Sequence, residues 1–253
     1  MSLIARLHRA AVLVLAVSVL GACASSNGTA LTAEGINDPY EAQNRKVHAF
    51  NRGLDRAIVR PAAVGYTSIL PDEIEDSVGN FARNLDMPSV MVNSLLQGDL
   101  RGFGRSTYRF TINSTLGLLG FFDPATEFNL PDHDTDFGET LYVWGAGEGA
   151  YLELPFFGPS TVRNTTGKVV DLFTNPLSYI LESPEEYYSP VASVASGLGT
   201  RGRFSDTVDS ILYESADSYA QARLIYLQNR RFTLGDTESD TDIDPFELDT
   251  EGF

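Results

Sequence analysis

Cysteine occurs once, at position 23, in a chain of 253 residues. One thiol cannot close an intramolecular disulfide, and alone it cannot supply the thiolate set of a structural zinc site. Basic residues are scarce: 18 Lys and Arg stand against 34 Asp and Glu, a formal charge of −16. That surplus of acid repels a phosphate backbone and argues against nucleic acid as a partner. Of three histidines, only His48 and His133 lie beyond the first ten residues. There is no Gly-x-Ser-x-Gly elbow and no phosphate-cradling loop, and Gly145-x-Gly-x-Gly149 lacks dinucleotide spacing. Asp132, His133, Asp134, Asp136 and Glu139 match no calcium or zinc pattern, so a polar loop is expected there. No catalytic residue, cofactor or metal is therefore expected. Long hydrophobic runs are missing too. The ten residues Ala11 to Leu20 reach about half of the ~20 needed to cross a bilayer as a helix. No internal repeat points to a solenoid.

What is present is a globular composition, 43% hydrophobic and 21% charged, in a chain long enough to bury a core. Arg6, His8 and Arg9 precede the apolar run without an acid, the pattern of a signal peptide over residues 1–22. It ends in Leu20-Gly21-Ala22-Cys23, which resembles the lipobox of bacterial lipoproteins, in which the cysteine becomes an acylated N-terminus. Cys23 is thus the expected lipid anchor, with several acyl chains holding where one would hold only marginally. Residue 24 is alanine, not the aspartate of inner-membrane retention, so the resemblance implies the outer membrane. Residues 23–36 then form the lipidated start and a polar tether. Removing residues 1–22 takes away two arginines and no acid, which leaves the mature chain at −18. Eight acids and no base lie between Asp236 and Glu251, so residues 234–253 read as a separate, disordered acidic tail. Asp240, Asp242, Asp244 and Glu251 fall at calcium-loop spacing, but Pro245 stands where that loop needs glycine.

Residues 37–233 form the expected folded body. Asp38 and Glu41 form a capping box with Pro39 at the first helical position, and Tyr40, Val47, Phe50, Leu54 and Ile58 mark a core-facing stripe as far as Pro61. A second helix opens at Pro71-Asp72-Glu73 with Ile74, Val78, Phe81 and Leu85 on one face, and Pro88 is expected to interrupt it. From Val90 to Leu96 apolar residues surround the wheel, as in a helix buried all round or facing lipid. A third helix runs from Asp99 to about Leu116 and carries Arg101, Arg105 and Arg109 on one face, which reads as a solvated surface or a phosphate-meeting stripe. The glycine-punctuated segment Leu116 to Phe122 follows. Residues Thr140 to Leu154 suggest a hairpin around the glycine run. Ser160 is placed as the cap of a helix to about Phe173, and one last helix is expected from Ser205/Asp206 towards Arg231.

The string Asn37-Asp38-Pro39-Tyr40-Glu41, continued by Asn44-Arg45, Phe50-Asn51 and Val59-Arg60-Pro61, resembles the opening of the MlaA (VacJ) lipoprotein family. Asn80-Phe-x-x-Asn84-Leu-x-x-Pro88, Arg109-Phe-x-x-Asn113-x-x-Leu116-Gly117, Gly158-Pro-Ser-Thr-x-Arg163 and Arg223-x-x-Tyr226 extend the likeness over most of the mature chain. The departures are Ala42-Gln43 and the acidic tail. The resemblance implies a mainly α, ring-like single domain of several helices, with a short glycine-rich hairpin or loop region and no large sheet. It implies an outer-membrane protein, lipid-anchored on the periplasmic side, that removes phospholipid misplaced in the outer leaflet and passes it to the periplasmic carrier MlaC, alongside trimeric porins. On that likeness the phospholipid path or gate would be bordered by Phe50, Asn51, Leu116, Gly117, Gly120, Phe121 and Phe122, with Gly117 and Gly120 as hinges and Arg109 and Asn113 engaging headgroups. The alternatives are a structural porin-binding lipoprotein without transport and a membrane-tethered hydrolase.

Overall fold

The structure is a computed structural model and describes residues 35–236. Cys23, the signal peptide and the acidic tail after Asp236 lie outside the described residues. The body is built of helices with one two-stranded antiparallel sheet. Glu41–Leu54 is followed without a break by a π-helical turn, Asp55–Val59, and by Arg60–Ile69. Pro61 therefore does not end the first element as expected. A proline lacks an N–H and its ring meets the carbonyl four residues back, and here that residue, Ala57, sits in the widened π turn. Pro88 likewise does not interrupt its helix, which runs unbroken over Asp72–Gln97, and the Asn175 amide donates to the carbonyl of Leu85 (2.9 Å) beside it.

That long helix packs against the helices Leu100–Thr115 and Tyr188–Arg203, and the latter also lies along Arg60–Ile69. The Tyr188–Arg203 helix was not anticipated, because its face is written in glycine, serine and alanine rather than in large apolar residues. Those small residues serve close approach: a Cβ on Gly202 would sit 2.7 Å from the carbonyl oxygen of Ala63. The glycine run 145–149 is a connector after the short helix Phe137–Val143, and the hairpin lies one element later. Its strands are Tyr151–Leu154 and Gly158–Thr161, registered Tyr151 to Thr161 and Leu154 to Gly158. Thr161, one residue beyond the expected Ser160, caps Val162–Thr174 by accepting from the N–H of Asn164. The final helix is two. Ser205–Asp209 and a π turn over Ser210–Glu214 end before Asp217 caps Ser218–Thr233.

The largest departure concerns which faces are inside. The first helix buries Asn44 and His48, whereas Tyr40, Phe50 and Ile58 of its apolar stripe are exposed. Asp38 forms no capping box, since the helix starts after Tyr40 without a side-chain cap. Among the described residues, buried polar or charged side chains outnumber buried apolar ones about two to one, while Ile69, Leu116, Leu119, Phe157, Leu172 and Ile180 are all exposed. Interiors of soluble proteins show the opposite preference, and extensive exposed apolar surface marks contact with a partner or a membrane. No described helix is long and apolar enough to cross a membrane.

The apolar core is small, comprising Ile36, Tyr151, Tyr219 and Leu227 with Tyr226 against it. Around it runs a polar network. Asn44 behaves like a third strand's backbone, donating to the carbonyls of Tyr151 (3.1 Å) and accepting from the N–H of Glu153 (3.0 Å). Asp38 accepts from Asn44 (2.9 Å), from the hydroxyl of Tyr219 and from Arg223 (2.7 Å). The buried Asp38, Asn44 and Tyr219 side chains are thus partnered, and without partners their burial would cost a few kcal/mol apiece.

Candidate functional site

Helices from both halves of the chain line an open cavity of about 1250 Å³. Its walls come from the Asp72–Gln97 helix, the loop at residues 132–134, and the helices Tyr188–Arg203, Ser205–Asp209 and Ser218–Thr233. The volume exceeds the ~300–1,000 Å³ of typical small-molecule pockets. Two chemistries line it. Met87, Val90, Phe204, Val208 and Ile225 make an apolar wall, and Arg83, Asp86, Asp134 and Arg201 bring charge.

Burial raises the Asp86 carboxyl to about 6, with the charges of Asp134, Asp171 and Asp136 adding to the shift. Asp134 is raised by burial and then by Asp136 and Asp132. Because a folded value of about 6 stands above the unfolded 3.8, the folded chain keeps a proton that the unfolded chain releases. Stability from this group is full below about pH 4 and is lost as pH rises through 6. Asp86→Asn should remove that loss, so its melting temperature should gain on that of the parent between pH 4 and 7. Parallel melting curves over that range would contradict the assignment.

Arg201 is held from below by two acids. It donates through Nε (2.9 Å) and Nη2 (2.8 Å) to Asp55 and through Nη2 to Asp209 (2.6 Å), while Tyr213 donates to Asp55 (2.6 Å). Both π-helical turns meet at this cluster, since Asp55 opens the first and Tyr213 lies in the second. Burial alone would raise the Asp55 carboxyl, but the hydrogen bonds from Arg201 and Tyr213 hold it below the ordinary value.

The expected gate residues fall in two other places. Asn51 locks the first helix to the hairpin turn: it donates to the carbonyl of Leu154 (2.9 Å) and accepts from the N–H of Phe156 (2.9 Å). Phe50 meets Phe156 edge to face at 5.5 Å. The pair borders a shallow apolar groove with Val47 and Pro155, away from the central cavity. The second group is the loop 116–122. Leu118, Leu119 and Gly120 all have positive φ, and Leu116, Leu118, Leu119 and Phe122 are exposed. A Cβ on Gly117 would come within 2.4 Å of the Phe122 carbonyl oxygen, and one on Gly120 within 2.4 Å of Asn84. In this conformation both glycines permit close approach, and their lack of a side chain is used for packing. Phe121 stacks on Phe81 at 4.6 Å.

Asn84 donates to the Leu119 carbonyl of that loop (3.1 Å), and Arg109 and Asn113 hold the segment that follows it, from Asp123 to Asp132. Arg109 turns inward from the expected stripe, with its side chain 2% exposed, and donates to Asp123 (2.8 Å), to the carbonyl of Leu130 and to Thr126 (3.3 Å), with Asp132 also 2.9 Å away. Asn113 donates to Asp123 (2.8 Å) and accepts from the N–H of Ala125 (3.1 Å). Arg101 remains exposed. Asp136 caps the Phe137–Val143 helix and pairs with Arg230 (2.7 Å), and His133 faces Ser94 (3.2 Å) and Asp99 (3.4 Å).

Ser218, His48 and Glu153 are spaced like a hydrolytic relay, with 3.1 Å from Ser218 Oγ to His48 Nε2 and 3.3 Å from His48 Nδ1 to Glu153 Oε1. All three are buried, none lines the central cavity, and Ser218 Oγ also accepts from Arg52 (3.4 Å). Nucleophilic attack needs a substrate within reach of the hydroxyl; in this structure the three side chains tie the first helix to the hairpin and to the last helix.

The residues 36–233 match the family model described as MlaA lipoprotein. The chain belongs to the MlaA lipoprotein family. Within it, the chain is 38% identical over 229 residues to the intermembrane phospholipid transport system lipoprotein MlaA of Escherichia coli K12, covering 88% of each chain. The Haemophilus influenzae lipoprotein of the same name is 32% identical over 228 residues, again with 88% of each covered. An uncharacterized protein of Rickettsia felis is 43% identical over 145 residues, 57% of this chain and 58% of that one. A solved structure concerned with the structural basis for maintenance of bacterial outer membrane lipid asymmetry superposes with a TM-score of 0.67 at 34% identity, covering 78% of this chain and 98% of that one. The cavity-lining Asp86, Asp134 and Arg201 of this MlaA-family chain were not singled out from the sequence as site residues. One signal was available: Asp86 sits between Leu85 and Met87, two residues before Pro88.

Proposed function

We propose that this chain is an outer-membrane lipoprotein that takes phospholipid misplaced in the outer leaflet through its central cavity and passes it to a soluble periplasmic carrier of the MlaC type, so maintaining lipid asymmetry. It breaks and forms no covalent bond. Cys23 carries the acyl anchor, the body lies on the periplasmic side of the outer membrane, and trimeric porins are its neighbours there. The observation that carries the reading is a large cavity with an apolar wall and charged groups, inside a body whose outer helical faces are apolar. The names of its relatives support the same substrate.

The physical need is plain. At about 0.8 kcal/mol per methylene, exposing two acyl chains of ~16 carbons to water would cost on the order of 20 kcal/mol, so traffic requires a covered path. In this reading Leu116, Phe121 and Phe122 present apolar surface to the bilayer at the gate, Gly117 and Gly120 allow the tight fold of that loop, and Arg109 and Asn113 act by holding the segment that follows it. Phe50 and Asn51 set the angle between the first helix and the hairpin.

The test is transfer of a fluorescent phospholipid from vesicles bearing the full lipidated chain to a soluble carrier. Intact lipid should move to the carrier, and Cys23→Ala should lower the rate by releasing the protein from the vesicle. Absence of transfer would favour a purely structural lipoprotein, and release of headgroup or fatty acid would favour a hydrolase.

A further inference from the structure

Among the described arginines, only Arg101 and Arg105 make no ion pair, side-chain hydrogen bond or ring contact. They go unanswered in a chain of formal charge −16, where acids are in surplus. Neither is shut away: Arg101 is exposed, and Arg105, though partly buried, has no nitrogen closed off from solvent. Arg101 also stands in the first turn of the Leu100–Thr115 helix, where the positive end of the helix dipole disfavours a cation.

The surroundings of the two arginines are apolar and face outward. Leu95, Leu96 and Leu100 are exposed at the corner where Gly98 ends the long helix, and so is Tyr108, one turn beyond Arg105. Trp144 lies against that corner, donating from its indole to the Leu96 carbonyl (3.0 Å) while its ring stays exposed. Farther along the helix, the hydroxyls of Thr107, Thr111 and Thr115 all donate to the carbonyl four residues back and are spent within the helix. Guanidinium groups beside tryptophan, tyrosine and leucine form the pattern of a membrane interface, in which rings lie at headgroup level, aliphatic stems cover apolar surface and charges reach phosphate. An acidic polypeptide would answer the arginines but not the leucines, the indole and the inward-bonded hydroxyls around them.

Resting on the reading of the chain as a membrane-held lipoprotein, we propose that this corner is where the body meets an anionic phospholipid surface. Arg101 and Arg105 bind headgroup phosphates, and Leu96, Leu100 and Trp144 enter the acyl boundary. The helix thereby gains a direction: with its start held at the phosphates, its 16 residues carry the exposed loop 116–122 up to about 24 Å inward, into a hydrocarbon core ~30 Å thick.

Trp144 is the chain's one tryptophan, so its fluorescence reads this corner alone. The full lipidated chain is reconstituted in phosphatidylcholine vesicles, with or without phosphatidylglycerol, whose acyl chains carry bromine either near the headgroup or near the methyl end. With phosphatidylglycerol present, shallow bromine should quench Trp144 about twofold more than deep bromine, as for side chains held at the headgroup boundary. In Arg101→Gln/Arg105→Gln that quenching should fall at least about twofold, because each base near an anionic surface contributes roughly fivefold in partition. The variant should melt with the parent, since neither side chain has a partner in the fold. Equal quenching in parent and variant, or with and without phosphatidylglycerol, would overturn the phosphate contact, and an unquenched Trp144 in the parent would overturn the whole surface. Quenching that arises only once residues 237–253 are removed would overturn it in favour of the chain's own acidic tail on the arginines. Lipid transfer to a soluble carrier, measured on the same vesicles, keeps the two readings apart: transfer that persists through any of these failures leaves the carrier reading standing, and its absence from the parent sinks that reading instead.

Discussion

Asp38→Ala should cost the folded chain about 3–5 kcal/mol, the usual loss when one half of a buried ion pair is removed. The carboxylate is enclosed, and it gathers Asn44 (2.9 Å), the Tyr219 hydroxyl and Arg223 (2.7 Å) from the first and last helices. Truncation takes from the Arg223 guanidinium, whose side chain is 4% exposed, its carboxylate at 2.7 Å and leaves Glu41 at 3.7 Å. Since whole-domain stability is typically about 5–15 kcal/mol, a loss of this size should shift the denaturant midpoint severely or prevent accumulation of the protein. Asp38→Asn keeps an acceptor for Tyr219 and Asn44 and should cost roughly half as much. A shift below about 1 kcal/mol for the alanine variant would show that the network relaxes around the gap.

The second large effect is expected at Arg109, where Arg109→Met keeps much of the volume and removes the charge. Asp123 would then lose its guanidinium partner at 2.8 Å, and the Leu130 carbonyl its buried donor. The cost should again be about 3–5 kcal/mol, but concentrated locally, because the groups left behind all belong to the segment after the Leu100–Thr115 helix. Hydrogen exchange gives the readout. The amides of Leu119 and Phe122, which donate within the loop to Ser114 (3.0 Å) and Gly117 (2.9 Å), should exchange faster, while those of the Val162–Thr174 helix should not. Faster exchange everywhere would mean that Arg109 supports the whole fold rather than the loop.

Much of this arrangement was legible in the residues. The Leu100–Thr115 helix opens at Asp99, whose side chain accepts from Arg101 and Gly102, because a short acceptor before a helical run satisfies the free N–H groups there. The long Asp72–Gln97 helix was legible in type but not in length. Proline removes one donor and creates one clash, and whether that breaks a helix depends on neighbours such as Asn175, which come from distant sequence. The hairpin was expected one element too early for a related reason: glycines at 145 and 149 with positive φ permit a turn, but they also permit a connector. The candidate site was less legible still. Phe50, Asn51, Arg109 and Asn113 are structurally decisive joints, but the groups that line the cavity are brought together from residues more than a hundred positions apart.

Composition and spacing alone determined a helical body and, through the resemblance of its motifs, the family. They did so because helix periodicity and capping are properties of neighbouring residues. Only the packed structure decided that the apolar stripes face outward, that Arg109 turns inward, and that Asp86, Asp134 and Arg201 face one void. Periodicity states how apolar residues are distributed around a helix, yet it is silent on whether the medium beyond that face is protein, water or lipid, and the medium decides which side is buried.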